Sequence, residues 1–349
     1  MESKKALVAM SGGVDSSVAV WLAQKAGFSC GGAMMLLCGS RVFTEEPEDR
    51  DARAVADKMD IPFYTLDARN VFCTEVVEDF IRTYEEGHTP NPCIRCNERI
   101  KFGWLLDKAK EMNYETLITG HYAQVEKDGA TGRFLLKKAM DHNKDQSYFL
   151  SCLTQEQLSC VYFPLGALTK DAVRAIAEEQ GFITAKKRDS QDVCFIPDGD
   201  YKAFMERYTQ KIYPAGDYLD QNGKVLGKHA GAVGYTIGQR KGLGIALGAP
   251  AYVCSKNMAA NTVTLGTNED LFSRELVADN WNWIAVDGIR EPMRVLARVR
   301  YRHTEQPATV YPDGRVVFDE PQRAITTGQT VVLYDEDTVI AGGIIREVI

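Results

Sequence analysis

The stretch Ser11-Gly12-Gly13-Val14-Asp15-Ser16-Ser17 restricts the possible folds of this chain more than any other feature. It follows residues 5–10 (KALVAM), an apolar run that reads as a short buried strand. It precedes residues 17–26 (SVAVWLAQKA), whose apolar spacing is helical and which stop at Gly27. Two glycines let a backbone approach an anion closely, and the following helix offers unpaired N–H groups with a partial positive charge. Ser11, Ser16 and Ser17 add hydroxyl donors. A loop of this kind cradles a pyrophosphate. It is neither a GxxxxGK[ST] loop nor a GxGxxG fingerprint, since the chain contains neither pattern.

Downstream, FSCGGAMMLL reads as a second strand, residues 50–59 as a helix and IPFYTL as a third strand. This alternation predicts an α/β fold with a doubly wound parallel sheet, with the glycine loop at the carboxyl ends of its strands. Further along, a helix is expected over roughly 97–112, a strand and loop in ETLITGHYA, and a strand beside a turn in TGRFLLKKAM. TKDAVRAIAEEQG reads as a helix with Thr169 as N-cap and Gly181 as stop. The character changes near residue 198, where Gly-rich turns begin. From about 270, RVLARVRY, PATVYP, RVVFDE, QTVVLYD and VIAGGIIREV are separated by turns such as PDG and TTG, the pattern of a small antiparallel barrel. The expected division is 1–197 for a nucleotide-binding catalytic domain with both key cysteines, 198–269 for a small central linker or tRNA-contacting domain, and 270–349 for a C-terminal antiparallel β-barrel.

At 349 residues the chain exceeds one ordinary core. No apolar run is long enough to span a bilayer, and the short apolar stretch at the N-terminus runs into the glycine loop rather than a cleavage site. Nine cysteines at irregular spacing argue for a reducing cytoplasm rather than a disulfide framework. The net charge of −7 argues weakly against nucleic acid. However, basic residues cluster at Lys137 and Lys138, Lys186 to Arg188, Arg240 and Lys241, and Arg298 to Arg302, and clusters govern binding more than the total.

Cys93 and Cys96 form a Cys-x-x-Cys pair, a spacing that serves metal binding, redox chemistry or sulfur transfer. A structural zinc would need further ligands. No second such pair exists, and His88 and His121 lack the spacing to complete one. Cys194 follows three basic residues, and positive charge favours its thiolate.

SGGVDSS resembles the signature of the ATP pyrophosphatase, or PP-loop, superfamily. Its members cleave ATP between the α and β phosphates and adenylate a carbonyl oxygen, and a nucleophile then displaces AMP. That resemblance implies that Asp15 helps hold magnesium pyrophosphate. SGGVDSS, TPNPCIRCNERIKF, TGHYA, KDQSYFL, AKKRDSQDVCFIPDG and YTIGQRKGLGI occur in this order. Together they resemble the tRNA-specific 2-thiouridylases, bacterial enzymes that thiolate the wobble uridine of certain tRNAs.

The resemblance implies a catalytic cysteine at Cys96 and a persulfide-bearing cysteine at Cys194. It implies ATP contacts at Ala9, Met10, Ser11, Gly12, Gly13, Val14, Asp15, Ser16, Met35 and Gly120. Asn91, Pro92 and Cys93 would face the target base. His121, Lys144, Asp145, Gln146, Arg300, Tyr301 and Gln329 would contact tRNA. The implied cofactors are ATP and Mg2+, and the implied partners are tRNA and a persulfide-donating carrier protein or sulfide, with no membrane. Two departures stand out. Many family members carry aspartate where this chain has Cys93, and the tryptophan that often follows the adenine-site methionine is replaced by Cys38. Cys93, Cys96 and Cys194 could alternatively hold a [4Fe–4S] cluster with one open iron that delivers hydrosulfide. Other readings are an ammonia-using PP-loop synthetase, a non-catalytic tRNA-binding protein with a degenerate loop, and a zinc-structured regulator. The first lacks a glutaminase module here, and the second would damage loop residues that are intact. Zinc binding without ATP binding would favour the third.

Overall fold

The structure is a computed structural model that describes residues 4–37, 49–187 and 193–349. Cys38 and Arg188, both singled out above, lie outside the described residues. The chain begins with β1 (Lys5–Ala9), α1 (Val14–Lys25), β2 (Ser29–Leu36), α2 (Arg50–Lys58) and β3 (Phe63–Asp67). Strands β4 (Thr116–Ile118) and Val161–Tyr162 complete a five-stranded, wholly parallel sheet, with β3, β2, β1, β4 and Val161–Tyr162 in that spatial order. The chain leaves β1 toward β2 on one side, and β4 lies on the other. The switch point of the doubly wound sheet therefore falls between the carboxyl ends of β1 and β4, where Gly12 and Gly120 sit. Ala6, Leu7 and Val8 of β1 have no exposed surface, as a strand covered on both faces requires.

Between β3 and β4 the chain is almost continuously helical. One run passes through Arg69–Phe72, the π-helical Cys73–Val77 and Glu78–Glu85. A second passes through Pro92–Cys96, the π-helical Asn97–Trp104 and Leu105–Glu111. The helix expected to start near residue 97 thus starts at Pro92. Asn91 is its N-cap and accepts a hydrogen bond from Ile94 N at 3.3 Å, and Pro92 takes the first-turn position that tolerates a missing N–H. Cys93 and Cys96 therefore ride on a helix start rather than in a loop. The helix over Lys170–Glu179 has Thr169 as N-cap, as read from the sequence, and Gly181 follows it at φ +61°.

The Gly-rich section after residue 198 carries the helix Tyr201–Thr209 and a four-stranded sheet rather than a linker. The last section closes into a barrel of six antiparallel strands: Phe272–Trp283, Arg315–Arg323, Gln306–Val310, Met293–Arg298, Thr330–Asp335 and Thr338–Val348, with the last pairing back to the first. The hairpin Gln124–Lys127 and Phe134–Lys137 leaves the parallel sheet and joins the barrel through Lys137 and Thr338. Among the described residues, no helix is long and apolar enough to cross a membrane.

Candidate active site

Gly12 turns the chain out of β1 at φ +68°, a conformation that L side chains rarely adopt. Gly13 then caps α1 without a side-chain hydrogen bond, so the first amides of the helix face the loop. Ser16 Oγ lies 3.3 Å from Ser11 N and 3.4 Å from Ser11 Oγ, which ties the two ends of the loop together. Ser17 Oγ donates to Gly13 O at 2.9 Å and meets Thr184 Oγ1 at 2.8 Å. Lys187 Nζ donates to Gly12 O at 3.0 Å and pairs with Asp51 at 2.9 Å.

Gly120 lies against the same helix start. A Cβ there would stand 2.8 Å from Asp15 C and 2.9 Å from Ser16 N, so only glycine lets the two chain segments approach this closely. Met10 and Val14, by contrast, bury their side chains in the core, at 2% and 3% exposure. They present only backbone to a ligand. Met35 is half-buried at the end of β2.

Asp15 has partners that the sequence did not announce. Lys170 Nζ reaches its two carboxylate oxygens at 2.7 and 2.8 Å, and Tyr122 Oη donates to Oδ1 at 2.8 Å. Lys170 opens the helix over Lys170–Glu179 and is buried. The signal available was a lysine at the first position of a helix, where the macrodipole disfavours a cation. The carboxylate pair retains an acceptor direction on Oδ2 for one magnesium contact, so Asp15 fits the role of a single metal ligand rather than of a cage.

The thiols gather on a second wall. Phe195 packs between Phe72, Phe80 and Phe204, with ring centroids 5.7, 5.3 and 5.3 Å away, and this anchors the turn that carries Cys194. Cys96 is buried in the same apolar cluster, while Cys93 and Cys194 reach the surface. Burial pushes the Cys96 thiol up to about 12, and Cys194 and Cys93 raise it further against the pull of Lys101. Burial also raises Cys93 and Cys194, and Lys101 again opposes it. Of the basic residues upstream of Cys194, Lys187 is directed to Gly12 and Asp51 rather than to the thiol. Among the described residues, Lys101 is the cation that lowers all three thiols. It lies five residues beyond Cys96 on a π-helical stretch, whose i to i+5 bonding brings it back over that cysteine. Among the described residues all eight cysteines are free thiols, and no set of three His, Cys, Asp or Glu side chains is arranged to hold a metal. The three thiols, two exposed and one buried, do not make a cluster cradle as placed.

Gly120-His121 joins the two walls. His121 is buried, and its Nδ1 lies 2.6 Å from Thr119 Oγ1 while Lys101 Nζ stands 3.4 Å from Nε2. Burial holds the imidazole well below its usual range, hence neutral. With Lys101 donating to Nε2, the ring proton belongs on Nδ1.

The remaining sequence candidates are mostly engaged internally. Asp145 is buried, accepts from Ala139 N, Ser147 N and Ser147 Oγ, and is raised chiefly by burial. Gln146 accepts from Tyr122 N at 2.9 Å. Lys144 is half-buried beside Tyr301, whose ring centroid lies 4.3 Å from that of Phe149. Arg300 donates to Ile237 O at 3.0 Å and to Thr326 Oγ1. Gln329 donates to Thr89 O at 3.0 Å and Pro90 O at 2.8 Å.

A phosphate-cradling loop at the switch point of a parallel sheet, followed by a central unit and an antiparallel barrel, defines a PP-loop ATPase-like protein. Residues 4–198 match a family profile described as the tRNA methyl transferase HUP domain. Residues 202–267 match its PRC-barrel domain, and residues 273–345 match an aminomethyltransferase beta-barrel domain. A tRNA-specific 2-thiouridylase MnmA of Clostridioides difficile is 47% identical over 361 residues, covering 99% of each chain. That of Acetivibrio thermocellus is 45% identical over 364 residues, covering 99% of this chain and 100% of its own. Among solved structures, a 4-thiouridine synthetase in complex with RNA and ATP aligns over 59% of this chain and 50% of its own, at 18% identity and a TM-score of 0.34. The chain belongs to the tRNA-specific 2-thiouridylase family, a family of sulfur-transferring enzymes.

Proposed function

We propose that this protein uses ATP to replace O2 of the tRNA wobble uridine with sulfur, through a cysteine persulfide. The observation that carries the reading is the junction at Gly120-His121. One residue packs on the phosphate loop and the next touches the cation that faces the thiols, so activation and sulfur delivery share one cleft.

ATP lies with its phosphates on Ser11 to Ser16, Met35 near the adenine, and magnesium on Asp15. The uridine O2 attacks the α-phosphorus, pyrophosphate leaves, and C2 becomes an electrophile with AMP as leaving group. The amides at the start of α1 stabilise the charge that develops on phosphate. Cys194 carries the persulfide, Cys194–S–SH. Its outer sulfur attacks C2, the C2–O bond breaks, and AMP departs with O2. Cys96, as thiolate, attacks the inner sulfur, and the S–S bond to the outer sulfur breaks as the Cys96–Cys194 disulfide forms. The two cysteine thiols supply the two electrons, and an external thiol must restore them. The persulfide route needs only Cys96 and Cys194, and Cys194 lies near enough to act on the charge of Cys96. We retain the domain division at 197 and 269, which the limits of the three family profiles support, and a cytoplasmic location, in keeping with free thiols. Arg240, Lys241 and Arg302 are exposed and suit phosphate contacts. The wobble base reaches the cleft by leaving its stack, as single-stranded bases do at low cost.

Nucleoside mass spectrometry on unmodified tRNA, incubated anaerobically with the protein, ATP, magnesium and a persulfide donor, tests the reading. Formation of 2-thiouridine is expected. Consumption of ATP without 2-thiouridine would leave the nucleotide loop and remove the proposed acceptor or donor.

Lys101 gives a pH test. A cation beside a thiol favours the thiolate, so Lys101→Met raises the pKa of Cys93 and Cys194, and their alkylation profiles move to higher pH. Below the pKa, each unit of displacement slows alkylation about tenfold. Iodoacetamide labelling with peptide mapping between pH 7 and 10 reads this directly, and superimposable profiles would refute it.

A further inference from the structure

The barrel grips the segment that launches the cysteine helix. Thr89 N donates to Thr327 O at 2.9 Å, and His88 Nδ1 lies 2.8 Å from Thr327 Oγ1. Gln329 Nε2 donates to both Thr89 O and Pro90 O. A Cβ on Gly328 would stand 2.9 Å from His88 Cβ and from Thr89 O, so the two backbones are in close contact. A second arm runs through Tyr148, which is fully buried. Its hydroxyl donates to Thr330 O at 2.8 Å, at the start of a barrel strand, and also bonds the side chain of Asn91. Asn91 is the N-cap of the helix whose first residues include Cys93 and Cys96. Both arms therefore end within two or three residues of the first cysteine.

His88 N donates to Thr83 O of the preceding helix at 3.0 Å, whereas Thr89 and Pro90 are held from the barrel. Thr89 Oγ1 is buried with no hydrogen-bond partner among the described residues, an arrangement that favours release of the segment to water unless something else retains it. The same barrel turn also reaches the central unit, because Arg300 bonds both Thr326 Oγ1 and Ile237 O. All three parts of the chain thus meet at residues 326–330.

We propose that this barrel turn positions the cysteine pair, and that Gln329 is a positioning residue that acts on Cys93 and Cys96 through the backbone of Thr89 and Pro90. The inference rests on the sulfur-transfer reading for its catalytic consequence. Its structural claim stands separately, and both are measurable. Gln329→Glu keeps the side-chain length but removes the donor. Thr327→Val removes the hydroxyl that faces His88, and Thr327→Ser restores it. The rate of iodoacetamide labelling at Cys93, the dissociation constant for tRNA, and kcat and KM for 2-thiouridine formation are measured on each full-length variant.

Gln329→Glu and Thr327→Val are expected to change Cys93 labelling severalfold and lower kcat about tenfold, because a misplaced reacting group costs rate without costing affinity. The tRNA dissociation constant stays within about twofold, and Thr327→Ser returns both readouts to the parent values. A weakened tRNA complex with unchanged labelling and kcat would make Gln329 a direct RNA contact and overturn the proposal, as would no change in any readout. Should Gln329→Glu fail to fold, the Thr327 pair decides alone. If the parent protein thiolates no tRNA, the function reading fails while Cys93 labelling still judges the positioning.

Discussion

Cys96→Ser is expected to abolish 2-thiouridine formation from a persulfide donor, by on the order of 10³-fold or more, while pyrophosphate release stays within about twofold of the parent. The two steps occupy different walls of the cleft. In the proposed route adenylation uses the loop Ser11 to Ser17 and Asp15, whereas Cys96 belongs to the apolar cluster around Phe195 and Phe204. Serine fits the volume but cannot form a disulfide. Cys96→Ser therefore stalls after AMP has left, with the tRNA held on Cys194 through a C2–S–S link, visible as a protein–RNA adduct that a reducing thiol releases. Cys194→Ser also abolishes the product but forms no such adduct. Full activity in Cys96→Ser would mean that the outer sulfur leaves Cys194 without a partner thiol, and the disulfide step would be withdrawn.

In the resting protein the thiols are held back from their nucleophilic form. Cys96 is pushed up to about 12, and Cys93 and Cys194 are raised from the usual cysteine range, all by burial. At neutral pH each is a thiol, and a thiol is a poor nucleophile. Among the described residues, Lys101 is the one cation that lowers all three, and part of its donor capacity is directed at neutral His121. A substrate that draws Lys101 toward the cysteines would release nucleophilicity only when the activated base is present.

What the sequence revealed and what it concealed follow from the range of the interactions. The phosphate loop, the helix cap at Thr169 and the barrel strands from 293 onward are local patterns, and they were legible. The start of the cysteine helix was misjudged although its signals were present: Asn91-Pro92 is an N-cap followed by proline at the first position. The π-helical stretch that returns Lys101 over Cys96 leaves no mark in apolar spacing. The twelve-residue first barrel strand, Phe272–Trp283, escaped because its outer face is polar and its ladder switches partners midway. Tertiary pairings such as Gln329 with Thr89, 240 residues apart in sequence, have no local signature at all. Gln329, Asp145 and Gln146 drew attention by family resemblance, and the structure engages each in internal hydrogen bonds.

Lys170→Met is expected to slow pyrophosphate release by about 10²–10³-fold, the scale seen when one group that stabilises developing charge is removed. The side chain is 9% exposed, and its ammonium spans both oxygens of Asp15 at 2.7 and 2.8 Å. That geometry places a fixed positive charge beside the loop that receives the phosphates. Two readings of the pair make different predictions. If it only ties the helix over Lys170–Glu179 to α1, Met keeps the apolar stem, the melting temperature falls by a few degrees, and pyrophosphate release is nearly normal once the protein is folded. If it neutralises phosphate charge, release collapses while the melting temperature, the tRNA dissociation constant and Cys93 labelling change little. Lys170→Arg separates them again. A guanidinium keeps the charge but is a planar fork where the site holds a compact ammonium, so it should restore stability better than rate. Asp15 is 31% exposed on its side chain, so its carboxylate stays hydrated when Lys170 is lost, and the stability cost remains that of a partly screened pair. Near-normal pyrophosphate release in a stably folded Lys170→Met would assign the pair to architecture alone.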